Sequence, residues 1–172
     1  VMVMVARNGC RSPPLDLGRA LDAGGPQQWT GGLDKLQNIV NVVGTNSKAS
    51  MAYSLKSILN QAGYKCNLYT SPHLQSYTER FVFNDQEISE DDLIDLLNDV
   101  EKVLGDDEAT VFEILTCAFY KYAENFKDNI QIIESGLFYK TDPSSVFKAN
   151  CCTLLGVCHI DHLHWLKNKT ID

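Results

Sequence analysis

Asn38-Ile39-Val40-Asn41-Val42-Val43-Gly44-Thr45-Asn46-Ser47-Lys48-Ala49-Ser50 is the stretch on which the fold turns. Its first half contains a β-branched run, Ile39–Val43, that stops at Gly44, the pattern of a buried strand. Its second half leads into Lys48–Gly63, where Ala52, Leu55, Ile58, Leu59 and Ala62 predict one apolar helical face and Gly63 a stop. The turn between them, Gly44–Ser50, has the ingredients of a phosphate site. It offers backbone amides at a helix start, the Lys48 ammonium, and the hydroxyls of Thr45 and Ser50. Glycines do not flank Lys48 on both sides, so spacing alone fits an ordinary strand-to-helix turn equally well.

Downstream, Cys66–Thr70 predicts a second strand, followed by a polar loop over Ser71–Glu79, a short run at Arg80–Phe83 and a turn at Asn84-Asp85. Ser89-Glu90-Asp91-Asp92 opens a helix that runs to Leu104, with acidic residues where they complement the helix dipole. Thr110–Phe126 predicts a longer helix, Ile130–Glu134 a third strand and Cys151–Val157 a fourth. Strands alternating with helices imply an α/β domain over residues 36–172, with a mainly parallel sheet flanked by helices. Residues 1–35 differ. Arg11-Ser12-Pro13-Pro14, Gly24-Gly25-Pro26 and Gly31-Gly32 break every candidate helix except a short one at Leu17–Leu21, so this segment reads as an irregular lead-in. Ligands of parallel sheets gather at the carboxyl ends of the strands. That directs attention to Gly44–Ser50, Thr70–His73, Glu134–Asp142 and the residues after Val157.

At 172 residues the chain has the size of one compact domain. Hydrophobic residues at 44% and charged residues at 22% exclude collagen-like, coiled-coil and wholly disordered classes. A net charge of −7 argues against broad attraction to nucleic acid or to anionic membrane, while leaving room for a local phosphate pocket. The six cysteines form no Cys-x-x-Cys pair and read as small hydrophobes of a reducing compartment. No apolar run approaches the ~18–20 residues of a membrane span. Val1–Ala6 lacks the basic region that precedes a signal sequence, so the expected location is cytoplasmic. The chain opens on valine rather than an initiator methionine. His159, Asp161, His162 and His164 crowd together, but without the spacing of a tetrahedral zinc site.

The opening stretch is followed in order by Ala62-Gly63-Tyr64-Lys65, Tyr69-Thr70-Ser71-Pro72-His73-Leu74, Glu79-Arg80, Phe112-Glu113, Ile133-Glu134-Ser135-Gly136-Leu137 and Ile160-Asp161-His162. This series resembles the folylpolyglutamate synthase/dihydrofolate synthase family of the Mur ligase superfamily, most specifically at Thr70–Leu74. The resemblance implies a phosphate-loop, Mur-ligase-type ATP-binding domain. It also implies ATP- and magnesium-dependent addition of glutamate to folate or dihydropteroate, in which the γ-phosphate passes to the carboxylate and the glutamate amine attacks the acyl phosphate. Carried onto this chain, it makes Gly44, Thr45, Asn46, Ser47, Lys48, Ala49 and Ser50 the phosphate cradle, with Lys48 on the β- and γ-phosphates. Ser71 and Glu134 match ligands of one magnesium, and Glu134 with His162 those of a second. Ser71, Pro72, His73 and Arg80 belong to the loop that forms the pterin-side wall. Read from the residues alone, Glu134 is equally a solvated carboxylate, Ser71-Pro72 only a turn, and Arg80 a positional residue. Glu113 is either a site carboxylate or a paired core residue.

The chain also departs from the family. Ser47 and Ala49 stand where the family has glycines, and a non-glycine held in the left-handed region costs roughly 1–2 kcal/mol. The Ala49 Cβ would also narrow the space for phosphate. Phe138, Tyr139 and Lys140 replace two glycines and an arginine. Asp142 is kept, Ser144 and Ser145 replace threonine and asparagine, and His159 replaces a glycine. Family members continue into a C-terminal Rossmann-like domain, whereas this sequence stops ten residues after His162 (172 − 162). The expectation is therefore an incomplete ATP-binding domain without its glutamate-ligase partner domain. The competing expectation is a non-catalytic nucleotide- or folate-binding remnant.

Overall fold

The computed structural model describes residues 3–5, 36–105, 109–137, 139, 142–146 and 151–161. Seven strands, β1 (Val3–Val5), β2 (Ile39–Val43), β3 (Cys66–Tyr69), β4 (Phe81–Phe83), β5 (Gln86–Glu87), β6 (Ile130–Glu134) and β7 (Cys152–Leu155), form one sheet. Their order is β1-β7-β2-β6-β3-β4-β5. The four central strands β7, β2, β6 and β3 are mutually parallel, which is the predicted architecture. Antiparallel pairing extends this core at both margins, with β1 on β7, β4 on β3 and β5 on β4. β1 falls in the segment expected to be irregular. Three residues carry too short a pattern to reveal a strand, and it is the exposed edge of β7 that makes one of them. The helix expected at Leu17–Leu21 lies outside the described residues.

The period-2 alternation of the strands divides the core between two faces of the sheet. Val40, Val42, Leu68, Ile132 and Leu154 pack on one face with Met51, Ala52, Leu55 and Leu59 of α1 (Lys48–Gln61). Ile39, Tyr69, Phe81 and Ile133 pack on the other with α2 (Glu90–Leu104) and α3 (Val111–Ala123). Two residues expected on the buried face of α1 are not there. Ile58 is 65% exposed because it sits roughly 120° around the helix from Ala52, and Ala62 follows the end of the helix and is exposed.

Local signals place the helix ends. Ser89 caps α2 by accepting the Asp92 amide at 3.1 Å. Thr110 and Glu113 form a capping box at the start of α3: the Thr110 hydroxyl accepts the Glu113 amide, and Glu113 Oε2 accepts the Thr110 amide at 2.7 Å. Glu113, left open between a site carboxylate and a paired core residue, is half-buried and binds the Thr110 amide and hydroxyl at this helix start. The helix predicted to reach Phe126 stops at Ala123 and tightens into a 3-10 turn over Glu124–Phe126. Of the short run Arg80–Phe83, Arg80 ends a 3-10 turn over Tyr77–Arg80 and β4 takes Phe81–Phe83. At the β4–β5 hairpin, Asn84 and Asp85 take positive φ, and Lys56 and Asn60 of α1 bind the Asp85 carboxylate. The hairpin is thereby tied to the helix that follows β2.

Candidate functional site

The backbone at the carboxyl end of β2 has no room for a side chain. Gly44 has φ +150°, and a Cβ there would stand 3.2 Å from the Gly156 Cα. The Gly156 amide donates to the Val43 carbonyl at 2.7 Å and the Thr45 amide to the Val157 carbonyl at 3.0 Å, so the chain after β7 lies against the turn. The Thr45 hydroxyl completes this clamp, accepting the His159 amide at 2.9 Å and donating to the His159 carbonyl at 3.1 Å. Expected as a cradle residue with a hydroxyl available for phosphate, Thr45 spends that hydroxyl on the backbone of His159.

Ser47 is the residue before α1, at φ 64° and ψ 10°, inside the left-handed region. It makes no side-chain cap, and the first turn of α1 carries no acidic residue. The amides at this helix start are therefore left for an anion, with Lys48 and Ser50 in the same turn. Ala49 lies inside α1 and has negative φ, so the backbone strain expected at both replaced glycines is confined to Ser47.

Glu134 ends the strand on the other side of this turn, at the carboxyl edge where parallel sheets form their ligand crevice. It is in register with Val42 on the neighbouring strand, and its Oε2 accepts the Ser71 amide at 3.0 Å. Only 3% of it is exposed, and this burial pushes its carboxyl above the ordinary glutamate range. The Ser71 amide, Lys48 and Arg80 each pull in the opposite direction. Lys48, the Ser71 amide and Arg80 thus all act on Glu134 at the carboxyl edge of the parallel strands.

The loop that carries Ser71 is shaped by Glu79, whose carboxylate accepts the amides of Leu74, Gln75 and Ser76 at 2.7–2.8 Å. These three bonds hold the Glu79 carboxyl below its usual range. Glu79 and Ser76 form a capping box, a role legible in the Ser76-x-x-Glu79 spacing but not assigned from it. Ser71-Pro72 is a cis peptide, Pro72 is exposed, and Leu74 is 93% exposed. Arg80 reaches back across the loop to His73 and lies over the ring of Tyr77. After β6, Asp142 accepts the amides of Gly136, Leu137 and Ser144, fixing the turn beyond Glu134. A Cβ on Gly136 would meet Asp142 Oδ2 at 2.8 Å, so the residue here must be small. Tyr139 joins this turn to β2 by accepting the Asn41 side-chain amide at 2.9 Å. His162, Phe138 and Lys140 lie outside the described residues.

An uncapped helix start beside a lysine suits an anionic group, and a buried carboxylate suits a hard cation. Among the described residues no three His, Cys, Asp or Glu side chains converge as a metal cage. Magnesium in phosphate sites is held by one or two protein oxygens with phosphates and waters completing its shell, and the buried Glu134 carboxylate is an oxygen donor of that kind. No helix among the described residues is long and apolar enough to cross a membrane.

No protein-family profile matches the chain. The dihydrofolate synthase/folylpolyglutamate synthase of Escherichia coli is 33% identical over 128 residues, which cover 74% of this chain and 30% of that protein. A solved structure of E. coli FolC in complex with DHPP and ADP aligns with a TM-score of 0.68 at 31% identity, over 77% of this chain and 32% of that one. The bifunctional folylpolyglutamate synthase/dihydrofolate synthase of Yersinia pestis, complexed with AMPPNP and Mn ion, aligns with a TM-score of 0.72 at 28% identity, over 92% of this chain and 38% of that one. The chain spans about a third of the length of the relatives it matches. In sequence and in fold, this protein is a homologue of the folylpolyglutamate synthase/dihydrofolate synthase family.

Proposed function

We propose that this chain is the nucleotide-binding part of an ATP-dependent ligase that adds glutamate to folate or dihydropteroate. The observation that carries the reading is the buried Glu134 carboxylate, bonded by the Ser71 amide and drawn on by the Lys48 charge at the uncapped start of α1. In this reading the α1 amides and the Lys48 ammonium bind the ATP phosphates, with Ser50 adding a hydroxyl. Ser71 and Glu134 hold magnesium, which supplies charge neutralisation on the phosphate oxygens. His162, by resemblance, serves a second magnesium. Pro72, His73 and Arg80 line the side of the crevice where the pteridine substrate binds. The protein contributes orientation and fixed charge rather than covalent chemistry.

A second reading is supported by Ser47. A serine held at φ 64°, where the family has glycine, favours a weakened phosphate loop and hence a non-catalytic nucleotide- or folate-binding remnant. Calorimetric titration of the chain with ATP and magnesium, repeated on Lys48→Ala and Glu134→Gln, tests both. Saturable binding that Lys48→Ala abolishes and Glu134→Gln makes magnesium-independent supports the nucleotide site. Absence of binding by the unaltered chain rejects it. The remnant reading expects no glutamate addition with ATP, magnesium, folate and glutamate, and polyglutamate product would overturn it.

A further inference from the structure

The loop over Ser71–Arg80 contains one side-chain pair that selects between two forms of a histidine. Arg80 Nε donates to His73 Nδ1 at 3.0 Å. Guanidinium is a donor only, so this bond requires His73 Nδ1 to carry a lone pair. In the neutral ring the proton then sits on Nε2. His73 Nε2 has no hydrogen-bond partner among the described residues, and the ring is only partly buried.

Two further contacts hold the pair in place. The His73 and Tyr77 rings lie 4.2 Å apart between centroids, and the Arg80 guanidinium carbon sits 5.4 Å from the Tyr77 ring centre. Tyr77 thus contacts both partners and limits the ring rotation that would exchange Nδ1 for Nε2. Glu79, one residue before Arg80, binds the amides of Leu74, Gln75 and Ser76 and fixes the backbone that follows His73. The ring is anchored from its own loop and from the residue that precedes β4.

We infer that Arg80 is a positioning residue that fixes His73 as its Nε2–H tautomer, so that the loop presents a hydrogen-bond donor to its ligand. The consequence is a preference in ligand chemistry. A neutral His73 in this form offers N–H to a carbonyl or carboxylate oxygen and cannot accept a bond from an amine or hydroxyl. The second half of the inference, that the receiving oxygen belongs to a folate-class substrate, rests on the function proposed above; the tautomer itself does not. Arg80, placed by resemblance on the loop that lines the substrate side, acts on a ligand there through His73.

The two halves separate in one set of spectra. Two-bond proton–nitrogen correlation of the ¹⁵N-labelled, ligand-free chain at neutral pH reads the tautomer of His73 directly, and His73→Gln assigns its signals. The expected result is Nε2 protonated, with no measurable Nδ1–H form. Arg80→Lys, which keeps a donor, should retain that signature, and Arg80→Met should show a new Nδ1–H population. A mixed or Nδ1–H ring in the unaltered protein overturns the inference without any variant having to fold. An unchanged tautomer in an Arg80→Met protein whose amide spectrum shows the native fold assigns the preference to something other than Arg80 and overturns it too. Adding folate should then shift the His73 Nε2 signal. A fixed tautomer with no such shift at a folate concentration that perturbs other loop amides overturns the substrate contact alone. No perturbation of the loop by folate or dihydropteroate tells instead against the function proposed above.

Discussion

Ser47 and Ala49 occupy equivalent-looking places in the sequence and opposite ones in the backbone. Ser47 sits at φ 64°, where a side chain is strained, whereas Ala49 lies within the first turn of α1, where alanine is at ease. Ser47→Gly should therefore raise the unfolding free energy, read from urea denaturation, by at most about 1 kcal/mol once the added freedom of the unfolded glycine is subtracted. Ala49→Gly should lower it by roughly 0.5–1 kcal/mol, from the loss of helix preference. Equal effects of the two changes would contradict this assignment of the strain. Glu134 carries a different cost. Its carboxyl is raised by burial, so between the unfolded and folded pKa values the folded state holds the extra proton. Stability from this group is then present below the ordinary glutamate range and is lost as pH rises through the raised folded value. Glu134→Gln should make the protein more stable at pH 7, and the advantage should vanish as pH falls below the ordinary glutamate range. Chemical denaturation at a series of pH values checks it; a variant less stable at pH 7 would mean that Lys48 and Arg80 outweigh the burial.

Among the elements, the start of α3 shows how a carboxylate in an apolar context can be structural. Glu113 accepts the Thr110 amide while the Thr110 hydroxyl accepts the Glu113 amide, satisfying two donors that the helix itself leaves open. Thr110→Ala should cost about 1 kcal/mol of stability, seen as a lower urea midpoint. It should leave magnesium–nucleotide affinity unchanged, since the side chains of Thr110 and Glu113 are spent on the helix start. A weakened affinity at unchanged fold would return Glu113 to the site. The same reciprocal arrangement at Ser76 and Glu79 shapes the loop that follows Ser71, so one local motif starts a helix in one place and holds a loop in another.

At the scale of the whole molecule, the crevice is assembled by strand order. β2 stands between β6 and β7, which brings the turn at Gly44 against Gly156 on one side and sets Glu134 beside it on the other. Thr45 fastens the residues after β7 to this turn through the two backbone groups of His159. Thr45→Val keeps the shape of the side chain and removes both bonds. The amide of His159 should then exchange with solvent faster, while the amides of β2 and β6 keep their protection. Unchanged exchange at His159 would show that the Thr45 and Gly156 backbone bonds suffice on their own.

The sequence by itself determined the four parallel strands, the three helices between them and their order. Ile39–Val43 and Ile130–Glu134 were readable to the residue because strands buried on both faces are continuous apolar runs. The caps Ser89 and Thr110 were readable because capping is decided within four residues. The Thr70–Leu74 match pointed to the family that the comparisons identify. Only the tertiary structure decided what depends on neighbours distant in the chain. β1 is a strand because β7 has a free edge, and Ile58 is exposed because the sheet meets α1 along a narrow stripe. Thr45 is a clamp because His159 lies within reach, and Arg80 addresses His73 because the Ser76–Glu79 cap folds the loop back. Backbone preference and apolar periodicity act over a few residues and are written locally. A hydrogen-bond partner across the sheet is fixed only when strand order brings the two together.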